Sequence, residues 1–128
     1  MAVFKTGAEN NTQPWKFKTG DDSITILPDF TRALPVVDPD NHALYISLGC
    51  ALENLIIAAD EFNYRKETEI TGDERQPQIV VKLSAAPQAD KQGLSGYIAK
   101  RQVTRGKYKP EKVPQSLLNE LFEETEGI

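Results

Sequence analysis

The chain has 128 residues, 39% of them apolar and 27% charged, with a net charge of −4 from 15 basic and 19 acidic side chains. That length and composition fit one globular domain and exclude a disordered tail, and the acidic balance argues against general nucleic-acid binding. One cysteine and one histidine exclude an intrachain disulfide framework and a four-ligand Cys/His zinc site.

In chain order, Trp15–Phe17 alternates apolar and basic residues, Gly20-Asp21-Asp22 supplies turn chemistry, and Ser23–Leu27 resumes a β-rich run. A hairpin over residues 15–27 is predicted. Pro28 to Val37 reads as a loop kept extended by Pro35. Asp38-Pro39-Asp40 then opens a long helix, with Asp38 as cap, Pro39 at the first helical position and Asp40 complementing the dipole. Leu44, Leu48, Leu52, Leu55, Ala59 and Phe62 recur at helical spacing as far as Asn63. Tyr45, Ile46, Ile56, Ile57 and Ala58 widen that stripe, which predicts a helix buried on most sides in a core or a subunit interface. Small residues at Ser47, Gly49, Cys50 and Ala51 suit either plain helix packing or close approach of a flat ligand. Glu67–Thr71 is a weak strand, Gly72-Asp73 a turn, and Gln78–Leu83 the best strand of the second half. Ala85–Gly93 reads as a linker, Gly96–Arg101 as a short helix and Lys107–Val113 as an extended basic stretch. Pro114 starts a last helix striped by Leu117, Leu118, Leu121 and Phe122. Glu120, Glu123, Glu124 and Glu126 oppose the dipole at its end, predicting fraying there or a chain that continues past Ile128.

The longest stretch free of formal charge, Asn41 to Leu52, is shorter than the roughly 20 residues of a membrane span. Lys5, Glu9, Lys16 and Lys18 interrupt any signal-peptide core. A cytoplasmic protein without membrane contact is expected.

Two segments stand out chemically. Asn11-Thr12-Gln13-Pro14-Trp15 presents two amides before a proline. Amides donate and accept together, which suits the edge of a flavin or base, although an ordinary polar loop satisfies the same pattern. Lys100, Arg101, Arg105, Lys107, Lys109 and Lys112 place six cations within thirteen residues, with Glu111 the only acid among them. On a helix Arg101 and Arg105 share one face, ready for a phosphate; a solvated basic face is the plain alternative, and Tyr108 would suit single-stranded nucleic acid. His42 and Cys50 lie about 80° apart around one helix and do not form a catalytic pair. Asp21-Asp22 and Asp38/Asp40 are explained as turn and cap, while Glu53 is either a buried acid or the helix's polar edge. Neither Gly-x-Gly-x-x-Gly nor a Walker-type loop is present. With no general base in view, any chemistry would reside in a cofactor.

Asn11-Thr12-Gln13-Pro14-Trp15-Lys16-Phe17 resembles the Asn-x-Gln-Pro-Trp signature of the nitroreductase family of flavin enzymes. Arg32-Ala33-Leu34-Pro35-Val36-Val37-Asp38-Pro39 and Tyr45 through Leu55 resemble its two-lobed, Acg-type branch. The similarity continues through Ile98, Arg101, Thr104, Arg105 and Tyr108. Val103 departs from the usual hydroxyl residue of the phosphate motif, with Thr104 beside it, and Gly7-Ala8 stand where relatives have Pro-Ser.

The resemblance implies an α+β fold, a mixed β-sheet packed on a long central helix, incomplete relative to the full family fold. Residues 1–88 would form part of a first lobe, and residues 89–128 a linker and the start of a second, as in a truncated member. It implies FMN as cofactor in the interface of a dimer, or of two lobes imitating one, with Asn11 reaching the flavin, Gln13 beside it in the same cofactor-binding loop, and Arg101, Thr104 and Arg105 binding the phosphate. The implied activity is hydride transfer from NAD(P)H through FMN to a nitroaromatic or quinone-like acceptor, in a homodimer without nucleic-acid partners. The alternatives are a catalytically inactive flavin-sequestering protein and a cofactor-free dimerisation module.

Overall fold

The computed structural model describes residues 12–87, 93–101 and 106–125. The expected first hairpin forms from Trp15–Thr19 (β1) and Ser23–Pro28 (β2), with Phe17 opposite Ile26 and Thr19 opposite Ile24. The Gly20 N–H donates to the Ser23 carbonyl at 2.8 Å and closes the turn. A second, longer hairpin joins Tyr64–Asp73 (β3) to Gln76–Ala85 (β4). Strand order is β1-β2-β4-β3, so the two hairpins meet where β2 pairs with β4, Ile24 against Val81 and Ile26 against Ile79. The fold is α+β. All three strand pairings are antiparallel, so among the described residues the sheet is not mixed as the resemblance implies. Two hairpins joined at a β2–β4 pairing leave no parallel neighbours.

The central helix runs His42–Glu61 (α1) and lies on the face formed by alternate residues of the strands. Leu44, Leu48 and Leu55 cluster there with Ile26 and Val81, both fully buried, and Trp15, Phe17, Ile24 and Leu83 pack around them. By length and composition α1 is apolar enough to cross a membrane, with a mean hydropathy of 1.4 over an 18-residue window. Its buried leucines instead cover the apolar face of the sheet. The Lys66 ammonium pairs with Asp60 and ties β3 to the end of α1.

Several boundaries differ from expectation for identifiable reasons. The helix starts at His42, not Pro39, because residues 38–41 make a turn in which the Asn41 N–H donates to the Asp38 carbonyl at 3.2 Å. Asp38 still caps the helix across that turn: its carboxylate accepts from the Ala43 and Leu44 N–H groups, each at 3.0 Å. The segment around Pro35 is a turn, not extended, with Val37 and Asp38 N–H groups both donating to the Leu34 carbonyl. Phe30–Arg32 is a short 3₁₀ turn. Gly72 lies inside β3 with φ +85°, where a Cβ would fall 2.2 Å from the Gln76 carbonyl oxygen. The chain reverses instead at Glu74-Arg75, because Asp73 accepts from the N–H groups of Arg75 and Gln76. Phe62 is 72% exposed, since α1 ends before it and the chain turns back into the sheet.

The outer face of α1 is more open than its composition suggests. Ile46 is 56% exposed, Gly49 and Glu53 are exposed, and Leu44, Leu48, Ala51 and Leu55 supply the buried side. The short helix Ser95–Ile98 (α2) packs on α1. The last helix, Gln115–Thr125 (α3), begins where Pro114 predicts, its carbonyl accepting from the Leu117 and Leu118 N–H groups. Residues 107–113 carry no regular structure and are exposed. The linker residues 88–92 lie outside the described residues.

Candidate functional site

Thr12, Gln13 and Pro14 precede β1 and lie against the start of α1. Three bonds fix their backbone: Arg32 Nη1 donates to the Thr12 carbonyl at 2.9 Å, the Trp15 N–H to the Gln13 carbonyl at 2.9 Å, and the Asp29 N–H to the Pro14 carbonyl at 2.9 Å. Between these ties Gln13 has φ +49°, uncommon for a residue with a side chain and more so before proline. Its side-chain amide bonds to no other described residue.

Asp29 anchors this corner. Its carboxylate, 7% exposed, accepts from Lys16 Nζ at 3.0 Å and lies 3.7 Å from Arg32 Nε. It also accepts from the Thr31 hydroxyl at 2.6 Å. The Thr31 hydroxyl bond, then that from Lys16, hold the Asp29 carboxyl below the ordinary carboxylate range against the opposing effect of burial. For Asp38 burial acts in the raising direction, and the Ala43 and Leu44 N–H bonds outweigh it, so its carboxyl is also lowered. The cleft beside these groups, lined by Thr12, Pro14, Arg32, Asp38, Leu44 and Ser47, measures about 10 Å³, room for a water and nothing larger.

A larger space opens towards the other end of α1. Asn54 and Ile57 face Leu94, Tyr97, Ile98, Lys100 and Arg101 across an open groove of about 410 Å³, within the range of small-molecule sites. Its walls are largely apolar, and its polar side-chain groups are the Asn54 amide, the Tyr97 hydroxyl and the cations of Lys100 and Arg101. Lys100 Nζ sits 5.6 Å from the centre of the Tyr97 ring, within reach of a cation–π contact.

Of the residues expected to bind FMN, Gln13 and Arg101 are described; Asn11, Thr104 and Arg105 lie outside the described residues. Gln13 and Arg101 do not meet. The Gln13 loop adjoins Leu44 and the Arg101 groove adjoins Ile57, a separation of about 20 Å along the helix axis.

No protein-family model, curated protein or solved structure matches the chain.

The functional groups therefore rest on this geometry and on the sequence. Among the described residues no group of three or more His, Cys, Asp or Glu side chains is placed to hold a metal. The sequence does not single out Asp29 and Arg32 as candidate site residues. The one available signal was Asp29-Phe30-Thr31, in which an Asx-type turn is predictable from Asp two residues before the N–H it accepts. Asn54, Ile57, Leu94 and Tyr97 gave none, because only tertiary packing of α2 on α1 makes them neighbours.

Proposed function

We propose that the chain is a nitroreductase-like, FMN-binding oxidoreductase or part of one, acting in the cytoplasm as a homodimer, with residues 1–88 in a first lobe and 89–128 opening a second. The observation that carries this reading is the groove between α1 and α2. Apolar walls at Ile57, Leu94 and Ile98 with Lys100, Arg101 and Asn54 beside them suit a ligand that is part flat and apolar, part anionic. Arg101, joined by Thr104 and Arg105, would neutralise the phosphate; Asn11 and Gln13 would offer amides to the ring edge. Bound FMN would supply the hydride chemistry between NAD(P)H and a nitroaromatic or quinone-like acceptor.

The 20 Å between the Gln13 loop and the Arg101 groove favours a site shared by two copies. If the outer faces of α1 pack antiparallel about residue 50, residues 44–47 of one copy stand level along the helix axis with residues 54–57 of the other. The Gln13 loop of each copy then meets the Arg101 groove of its neighbour. The exposed Ile46 and Gly49 would be covered by that packing.

The test is the visible spectrum of the purified protein after adding FMN and desalting. Retained flavin bands, followed by steady NAD(P)H oxidation with a quinone, are expected. Flavin retained without turnover would favour the sequestering reading, and a colourless dimer indifferent to FMN would favour the dimerisation module.

A further inference from the structure

We infer that Arg32 is a positioning residue for Gln13: anchored by Asp29, it holds the Thr12 carbonyl and fixes the backbone from which the Gln13 amide meets the flavin ring. This rests on the flavin reading above.

Positive φ at a residue with a side chain, directly before proline, is an arrangement that the surroundings must enforce. Here the enforcing bonds are on either side of Gln13, at the Thr12 carbonyl from Arg32 and at the Pro14 carbonyl from the Asp29 N–H. The two come from one 3₁₀ turn, Phe30–Arg32, whose cap is Asp29. The Asp29 carboxylate already accepts from Lys16 and Thr31, so it is a fixed point, and the Arg32 guanidinium spans from it to the loop. The adjoining cleft is too small for a ligand, so the bonds serve the loop and not a site of their own.

The experiment is a double-mutant cycle on FMN affinity, read by quenching of flavin fluorescence in the wild type, Arg32→Ala, Gln13→Ala and the double variant. Arg32→Ala is expected to weaken binding about tenfold, and that loss should vanish in the Gln13→Ala background, with Arg32→Lys recovering part of it. Additive losses, or unchanged affinity in Arg32→Ala, would overturn the assignment. Should Arg32→Ala fail to fold, Arg32→Gln carries the same cycle. If the wild type binds no FMN, the flavin reading falls, and the positioning role is decided in the ligand-free protein. The nuclear magnetic resonances of the Gln13 side-chain amide and of the single tryptophan's indole, Trp15, should then shift in Arg32→Ala and return in Arg32→Lys. Resonances that stay in place in Arg32→Ala would refute it.

Discussion

Gly49 offers the sharpest test of what the outer face of α1 is for. Glycine within a helix is less favourable than alanine by about 0.8–1.0 kcal/mol. Among the described residues nothing beyond the helix's own backbone lies within 4 Å of the position a Gly49 Cβ would take, so Gly49→Ala meets no steric opposition from them. The variant should be stabilised by about 1 kcal/mol, which for a chain of this size raises Tm by roughly 3–6 °C. If two copies pack antiparallel across this face, the added methyl instead enters a close contact between helices, where overpacking costs about 1–3 kcal/mol. Gly49→Ala should therefore melt higher than the wild type at micromolar dilution, and its dimer should dissociate about 5- to 150-fold more readily. Thermal melts over a hundredfold concentration range and sedimentation equilibrium read both effects. A lower Tm at dilution would refute the open outer face. A Tm gain that persists unchanged at all concentrations, with self-association intact, would refute the pairing through α1.

Three further outcomes are expected. Antiparallel pairing centred near residue 50 brings together the chain's one cysteine, Cys50, from each copy; treatment with diamide should give a disulfide-linked dimer on a non-reducing gel, reversed by dithiothreitol, and a monomer band alone would count against the arrangement. Arg101→Ala removes one charge-assisted bond of about 1.5–3 kcal/mol to the phosphate and should weaken FMN binding about ten- to hundredfold in equilibrium dialysis, while riboflavin, which lacks the phosphate, binds the variant and the wild type alike. Asp29 and Asp38 are both held below the ordinary carboxylate value, so their contribution to stability is present above about pH 4 and lost as pH falls through their lowered values; urea unfolding at stepped pH should show that loss reduced in Asp29→Asn and Asp38→Asn, and an acid profile identical to wild type would contradict the assigned bonds.

Local pattern made much of the fold legible. Two-residue alternation with Gly20-Asp21-Asp22 between gave the first hairpin, and leucines at helical spacing with an acidic start gave α1. Pro114 gave the start of α3. The β3 strand was harder, because Arg65, Lys66, Glu67 and Glu69 look like a solvated segment; its ten-residue length comes from pairing with β4, which no local signal carries. Gly72 looked like the turn, yet the turn is set by Asp73 bonding ahead to Arg75 and Gln76. The candidate site was less legible for a related reason. Gln13 and Arg101 drew attention as residue types, but their separation along α1 and the ties from Asp29 and Arg32 depend on which loops fold against one another. The breadth of apolar residues on α1 misled in the other direction: one face is buried, and the other awaits cover that the described part of the chain does not give Ile46 or Gly49.

The strand order also determines how the molecule comes apart. Each hairpin joins neighbours in the chain and closes over a short turn, whereas the β2–β4 junction links residues more than fifty positions apart, with α1 inside that loop. Ile26 and Val81, the largest fully buried side chains among the described residues, both belong to that junction. Short closures form early and long ones late, so the molecule is two locally closed ribbons zipped along one seam, with the helix laid over the zip and the core shared by all three. Amides at Ile26 and Val81 should then exchange with solvent only through global unfolding, while those near Gly20 and Glu74 exchange through local opening.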